Sequence, residues 1–210
     1  MRSLLAVLLF CGGLAQAQSA RPEDIAQGSI LIMQRDTPDP IFSHSVVLLA
    51  KHEKSGTVGL MIHHRSDIPI QKALKGIAGA DRRTDNIFIG GPVELEGVMA
   101  LLRSDSPPPD ATPVTSKLYL AVTKQGLTGA LMNRKPSDVR VYLGYAGWGP
   151  GQLAAEVRRG GWWIFGYDEG LVFDDHPETL WQRLIKRTEL QKVSLPFPQP
   201  GAFRKAISIR

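Results

Sequence analysis

The chain has 210 residues, of which 43% are hydrophobic and 21% charged, a composition that excludes a disordered protein and fits one globular domain with a real core. Its formal net charge of +5 comes from basic pairs scattered among aspartates and glutamates, without the clustered basic residues and reading motifs of a nucleic-acid-binding protein. The single cysteine, Cys11, lies in the N-terminal apolar run, and the bulky Phe10 before it disfavours lipidation.

The first seventeen residues have the pattern of a secretory signal peptide. Arg2 is a basic start, Leu4–Phe10 is an apolar run, and Ala15-Gln16-Ala17 is a small-x-small cleavage site. The apolar run is too short for a transmembrane helix, which needs about 20 residues. We therefore expect residues 1–17 to be removed, and residues 18–210 to form one periplasmic or secreted domain without stable membrane insertion.

Short apolar runs, taken in chain order, predict β-strands. They are Ser29–Met33, Ser45–Ala50, Val58–His63, Ile87–Ile89, Val98–Leu102, Leu118–Thr123, Val139–Leu143 and Trp162–Phe165. The second and third strands are expected to form a hairpin with Lys51–Gly56 as its loop. Strands that are apolar on both faces are expected to be covered on both sides.

Helices are predicted at Ile70–Ile77, at Leu153–Arg159 and at Pro177–Arg187, where apolar residues recur at helical spacing. Ser104–Thr115 and the C-terminal tail are rich in proline and are expected to be irregular. The strands outnumber the helices and do not alternate with them, which favours an α+β fold with a mixed sheet.

Two glycine-rich motifs are the most informative feature of the sequence. One is Gly90-Gly91-Pro92, and the other is Gly144–Leu153, which has four glycines around Trp148. Because glycine loses more backbone entropy on folding than any other residue, such motifs indicate positive-φ turns or a close approach of another backbone. We expect the second motif to be a strand-to-helix turn at the surface, either packing structurally or binding an anion through backbone N–H groups.

These motifs, together with Phe42–Leu49, Gly56–Ile62 and Leu171–Asp174, resemble the AlgH/YqgE family of bacterial proteins over about residues 28–187. The resemblance implies an α+β fold with a strongly bent mixed β-sheet that forms a partial barrel, flanked by a few helices. It implies no defined activity. Two features depart from the family: His63-His64 stand where members commonly have the start of Asn-Arg-Pro, and the usual members are cytoplasmic.

The sequence gives little support for a metal site or for a catalytic nucleophile. Four histidines lie within twenty-one residues, in or near two adjacent predicted strands: His44, His52, His63 and His64. Neighbours on a strand point to opposite faces, so His63 and His64 cannot both bind one ion, and we expect no metal site. Ser45 follows His44, but it lies in no Gly-x-Ser-x-Gly elbow, and we expect its hydroxyl to bind a backbone group.

The acidic corner before the last helix is interpreted as a structural cap. Asp175 or His176 precedes Pro177 and is expected to cap the helix, with Glu178 favourable in its first turn.

The sequence therefore favours an exported, non-enzymatic domain without a cofactor that binds a small molecule or a protein, and not nucleic acid. The expected binding residues come from the two glycine motifs: Gly90, Gly91, Pro92, Tyr145, Gly147, Trp148, Gly149 and Gln152. Trp148 is expected at the surface edge of its turn. The alternatives are an enzyme of undefined class that uses the same glycine-lined cleft, and a regulatory protein, as the family name suggests.

The expected cleavage of the signal peptide can be tested directly. N-terminal sequencing of the periplasmic or secreted protein is expected to begin at Gln18, because signal peptidase cleaves after a small-x-small site. A soluble cytoplasmic pool that retains Met1 would contradict this expectation.

Overall fold

A computed structural model describes residues 20–194, although the side chains of residues 190–194 fall outside that description. The expected signal peptide, Cys11 and the prolines of the C-terminal tail lie outside the described residues. Between residues 20 and 194, no helix has both the length and the apolar character needed to span a membrane.

The described chain forms one sheet of ten strands with short helices around it. The strands are β1 (Ile30–Met33), β2 (Val46–Glu53), β3 (Gly56–Met61), β4 (Arg65–Pro69), β5 (Asn86–Ile89), β6 (Val93–Arg103), β7 (Ala111–Pro113), β8 (Leu118–Ala121), β9 (Val139–Trp148) and β10 (Trp162–Phe165). The α-helices are α1 (Ile70–Ala73), α2 (Lys124–Asn133), α3 (Gln152–Arg158), α4 (Glu169–Val172) and α5 (Leu180–Ser194).

The order of the strands is β10-β1-β2-β3-β9-β6-β8-β7, with β5 joined to β9 and β4 joined to β5. The pair β5–β9 is parallel, and the other pairs are antiparallel. The sheet curls into a half-barrel. The predicted α+β class, with a strongly bent mixed sheet and a few flanking helices, is confirmed.

Strand β9 joins the two parts of the curled sheet. Its first half, Val139–Leu143, pairs with β6 and β5, and its last residues, Ala146–Trp148, pair with β3. Between these halves Gly144 has a φ of +67°, in the left-handed region that glycine enters without a steric penalty. Just beyond this glycine Tyr145 still pairs with Val93 of β6, and the strand then passes to β3.

The segment Gly90-Gly91 lies against β9 at this point. A Cβ atom on Gly91 would lie 2.2 Å from the carbonyl carbon of Tyr145, and one on Gly144 would lie 2.6 Å from the carbonyl oxygen of Gly91. Gly90 N–H donates to the carbonyl of Leu143 at 2.8 Å. The two glycine motifs meet because their backbones approach more closely than side chains would permit.

Both faces of the sheet are covered, as predicted. Alternate strand residues face opposite sides, so that Ile30 and Ile32 pack with α5 in the inner cluster while Leu31 packs against the outer face. On the outer face, α2 contributes Leu127 and its neighbours to one cluster, and α3 contributes Leu153 to another. The interior of the half-barrel is thus filled.

Several predicted boundaries are wrong. The hairpin loop is only Lys54-Ser55, because Glu53 already pairs with Gly56. The helix predicted at Ile70–Ile77 ends at Ala73, and α2 was not predicted. The predicted turn at Gly144 is instead strand, because β9 keeps pairing as far as Trp148.

The close approach at Gly144 can be tested by substitution. Gly144→Ala is expected to lower the free energy of unfolding by more than about 2 kcal/mol, because a left-handed conformation alone costs about 1–2 kcal/mol for a residue with Cβ and the new atom also meets backbone oxygens. Urea unfolding measures this change.

Gly149→Ala is the matched control, since a Cβ there would have only the Gln152 side chain, 3.9 Å away, within reach. The control is expected to change stability by no more than about 0.5 kcal/mol. Equal losses in the two variants would refute the role given to Gly144.

Candidate functional site

The predicted binding residues do not form one open cleft. Gly90 and Gly91 are buried against β9, so their lack of a side chain is explained by packing. Pro92, Gly149 and Gln152 are exposed, and the Gln152 side chain accepts a hydrogen bond from Gly149 N–H at 3.1 Å. Close backbone contact thus accounts for Gly90, Gly91 and Gly144, whereas a Cβ on Gly149 would meet only the Gln152 side chain.

Trp148 is buried, with 4% of its surface exposed, so the expectation that it lies at the surface edge is wrong. Its ring stacks on Phe42 at a centroid distance of 5.8 Å and meets Trp162 edge-on at 6.0 Å. Its Nε1 donates to Glu156 Oε2 at 2.9 Å, and Trp162 Nε1 donates to the same oxygen at 2.9 Å. The Glu156 carboxylate on α3 thus accepts hydrogen bonds from both buried indole N–H groups. The packing of apolar side chains alone does not predict this carboxylate.

Three of the predicted residues line a shallow depression of about 420 Å³ on the β3–β9 surface. They are Tyr145, Gly147 and Trp148. The Tyr145 hydroxyl donates to Glu94 at 3.5 Å, at the limit of a hydrogen bond. Within the described chain, no charged side chain is buried at this depression, which makes it a weak candidate for ligand recognition.

A larger cavity, of about 640 Å³, was not predicted. We call it the arginine cavity. It lies between the start of β9, the start of β5, the end of β6 and the segment that follows α4. Its defining residues are Arg65, Phe88, Arg103, Arg140, Phe173 and Asp175.

Arg140 is the central residue of the arginine cavity. It lies two positions before Tyr142 on β9, so both side chains face the inner side of the sheet. The guanidinium donates to the carbonyl of Ile62 at 3.4 Å and to the carbonyl of Asp174. Burial lowers the pKa of Arg140. In the described part of the chain, no carboxylate lies within ion-pair distance of this partly buried cation.

Aromatic rings alternate with guanidinium groups along the cavity wall. Arg140 lies over Phe88 at 4.6 Å and also faces Phe173 at 5.8 Å, and Arg103 lies over Phe173 at 4.4 Å. Stacking on a ring occupies the faces of a guanidinium and leaves its N–H groups directed outward in its plane. The rings therefore help to hold both arginines at the cavity, and the five N–H groups of Arg140 exceed the two hydrogen bonds that it donates to the carbonyls of Ile62 and Asp174.

Tyr142 lies next to Phe88 in the core, with its ring tilted by 44° from that of Phe88. Its ring lies 5.5 Å from that of Phe88 and is fully buried. Burial raises the pKa of Tyr142 to about 12, against the opposing effect of the Arg140 cation. No hydrogen bond of acceptable geometry reaches its hydroxyl within the described structure. This phenol stays neutral and can donate a proton in a hydrogen bond.

The segment Phe173–Asp175 closes one side of the arginine cavity and is held there by its arginines. Arg140 donates to the carbonyl of Asp174, and Arg65 donates to the carbonyl of Asp175 at 2.9 Å. Arg183 on α5 holds the Asp174 carboxylate at 2.6 Å from outside the cavity. Although partial burial opposes ionisation, the hydrogen bonds from Arg183 and from His176 N–H lower the pKa of Asp174.

Two of the three acidic residues that line the cavity, Asp85 and Asp174, have cationic partners. Asp85 receives two hydrogen bonds from the buried Arg83, at 2.6 and 2.5 Å. The cap that was predicted from Asp175 or His176 is wrong, because the N-cap residue His176 makes no side-chain bond to the helix. Asp174 instead accepts from His176 N–H at 2.8 Å, and so fixes the chain just before the last helix.

The histidines and Ser45 do not form a reactive site. Burial lowers the pKa of His63 to about 4, so its ring is neutral near pH 7. The Ser45 hydroxyl is fully buried, and among residues 20–194 it has no hydrogen-bond partner, so the expected backbone bond is wrong. No group of three or more His, Cys, Asp or Glu residues in the described chain could hold a metal ion.

Comparisons with known proteins identify the relatives of this chain. The AlgH-like family profile matches residues 30–192. A UPF0301 protein of Methylococcus capsulatus is 32% identical over 180 residues, which cover 81% of this chain and 98% of the relative. A UPF0301 protein of Caulobacter vibrioides is 32% identical over 166 residues, covering 76% of this chain and 85% of the relative.

Solved structures show the same fold. The solution structure of the AlgH protein from Pseudomonas aeruginosa has a TM-score of 0.65 at 23% identity, covering 88% of this chain and 98% of that one. The crystal structure of a Corynebacterium diphtheriae protein has a TM-score of 0.62 at 19% identity, covering 85% and 94% of the two chains.

The buried position of Trp148 gives a measurable expectation. Trp148→Ala is expected to lower the free energy of unfolding by about 3–5 kcal/mol, as large aromatic truncations do in cores. Trp148→Phe is the matched variant, because it keeps the ring packing and loses chiefly the hydrogen bond to Glu156, which is worth about 1.5–3 kcal/mol as a bond to a charged group. If chemical unfolding showed Trp148→Ala to be nearly neutral, the packing role would be refuted.

Proposed function

The chain belongs to the AlgH-like family, and on that premise we propose that it is a binding protein that holds a small organic anion in the arginine cavity. The observation that carries the proposal is Arg140. It is a partly buried cation without a carboxylate partner in the described chain, beside a cavity of about 640 Å³. A volume of about 300–1,000 Å³ is usual for sites that bind small molecules.

The energetics favour an anion at this position. Burying a charge is costly unless it is paired and hydrogen-bonded. Arg140 makes hydrogen bonds to carbonyl oxygens, which satisfy N–H groups but supply no full negative charge. An anionic ligand would provide the missing charge and form charge-assisted hydrogen bonds, which are about twice as strong as neutral ones.

The cavity supports binding more directly than it supports catalysis. Its carboxylates Asp85 and Asp174 are engaged by Arg83 and Arg183, and the Tyr142 hydroxyl is buried with a raised pKa. A general acid or base needs a pKa near the working pH and access to the substrate. We also propose export, on the N-terminal sequence pattern alone.

Binding can be measured by NMR titration of the labelled protein with acetate, benzoate, inorganic phosphate and phenyl phosphate. At least one of these anions is expected to shift the amide signals of residues 84–88, 139–140 and 173–175. Arg140→Met is expected to weaken that binding about tenfold to a hundredfold, since a hydrogen bond to a charged group contributes about 1.5–3 kcal/mol.

Two control variants separate direct contact from indirect effects. Arg158→Met removes an exposed arginine at the end of α3, far along the chain from the cavity, and is expected to bind like the wild type. Arg183→Met loosens the segment Phe173–Asp175 from outside the cavity and is expected to retain most of the binding. Loss of binding in Arg183→Met equal to that in Arg140→Met, or no binding of any anion by the wild type, would refute the proposal.

A further inference from the structure

We propose that the ligand of the arginine cavity carries one anionic group, a carboxylate or a phosphate, on a flat apolar body such as an aromatic ring. This inference rests on the proposed function and narrows its ligand class. It excludes polyanions and small hydrophilic ions as the preferred occupants.

The number of anionic groups follows from how the arginines are already paired. Arg103 lies 3.1 Å from Glu169 and 3.8 Å from Asp138, and Arg65 lies 3.6 Å from Glu178. Of the three arginines that define the cavity, only Arg140 has no carboxylate in ion-pair contact among the described side chains. One unpaired cation can form an ion pair with one anionic group of the ligand.

The carboxylates of the wall disfavour a second anionic group. Asp85, Asp174 and Asp175 all line the cavity. Asp85 and Asp174 are paired with arginines that lie behind the wall, and Asp175 is exposed at the rim without an ion pair to a described residue. An anion placed away from Arg140 would approach these oxygens and be repelled.

The shape of the body follows from the apolar part of the wall. Phe88, Phe173 and Pro136 line the same cavity as Arg140 and bring apolar groups to it. The rings of Phe88 and Phe173 lie 4.4–5.8 Å from guanidinium carbons, so the wall presents aromatic rings and guanidinium groups side by side. A flat ligand ring can pack against these groups, while its anionic group accepts hydrogen bonds from Arg140.

The size of the cavity supports the same class of ligand, an anionic group on an apolar body. A space of about 640 Å³ is far larger than a carboxylate or phosphate group alone requires. Affinity for a small hydrophilic ion would depend on one ion pair at a partly exposed site, which contributes little after its desolvation. Burial of an apolar ring adds roughly 25 cal/mol per Å² of surface removed from water.

The test is a comparison of affinities measured by NMR or calorimetric titration of the purified full chain. Benzoate is expected to bind at least about tenfold more tightly than acetate, and phenyl phosphate at least about tenfold more tightly than inorganic phosphate, because each ring buries apolar surface. Terephthalate, with a second carboxylate, is expected to bind more weakly than benzoate. Benzylamine, a flat cation, is expected not to bind.

A variant of the aromatic wall tests the stacking directly. Phe173→Leu keeps an apolar side chain but removes the ring that lies between Arg103 and Arg140. It is expected to weaken benzoate binding several-fold and to leave acetate binding unchanged. Arg158→Met is again the matched control and is expected to alter neither affinity.

The outcomes separate this inference from the proposed function. If acetate and benzoate bind equally, or if terephthalate binds more tightly than benzoate, the ligand class is wrong while anion binding stands. If no anion binds, both are wrong. The relative affinities of benzoate and phenyl phosphate decide whether the anionic group is a carboxylate or a phosphate.

Discussion

The backbone contact between Gly90-Gly91 and Gly144-Tyr145 is the constraint on which the remaining architecture depends. It lets β9 pair with β5 and β6 in its first half and with β3 in its second half, so that one strand belongs to both parts of a curled sheet. The curl brings strands from both parts around a common interior, which α5 fills. It also places the first residues of β9 beside the arginine cavity. Arg140 therefore lies at the end of an otherwise apolar inner surface because of where β9 begins and how it bends.

The arrangement around Arg140 shows how a fold can hold a cation where water is scarce. The rings of Phe88 and Phe173, 4.6 and 5.8 Å from the guanidinium carbon, give electrostatic attraction without neutralising the charge. Carbonyl oxygens of Ile62 and Asp174 satisfy N–H groups, again without a full negative charge. If stability alone were at stake, an apolar residue or a direct carboxylate partner would serve better, because a buried unpaired charge is destabilising. The structure contains such carboxylate pairs for Arg83 and Arg183 nearby, so their absence at Arg140 distinguishes this position.

Much of the fold could be predicted, because its determinants are local. Apolar runs such as Ser45–Ala50 marked strands covered on both faces, and the two glycine motifs marked a close backbone approach. The arginine cavity could not be predicted, because its residues come from distant parts of the chain and meet only when the sheet curls. One signal was present: in Val139–Leu143, Arg140 interrupts the inward-facing positions of a strand.

Helix α2 also had a signal in the capping Thr123, but its sequence has little amphipathic pattern. Trp148 was wrongly predicted to lie at the surface. Its hydrogen-bond partner Glu156 lies on the following helix, and a glutamate in a helix seldom indicates that a tryptophan is buried beside it.

The arginines that line the cavity also hold one part of its wall, the segment Phe173–Asp175, in place. Arg65 and Arg140 each donate to a carbonyl of the segment Phe173–Asp175, while Arg103 and Arg140 lie against its aromatic ring. An anion that binds Arg140 must either use N–H groups that these carbonyls leave free or compete with the carbonyls. In the first case the segment stays in place and contributes Phe173 to the ligand. In the second case binding and release of the segment are coupled, since a ligand shifts an equilibrium by its difference in affinity for the two states. The hold of Arg183 on Asp174 from outside the cavity favours the first case, because it fixes the segment through a side chain that the ligand does not contact.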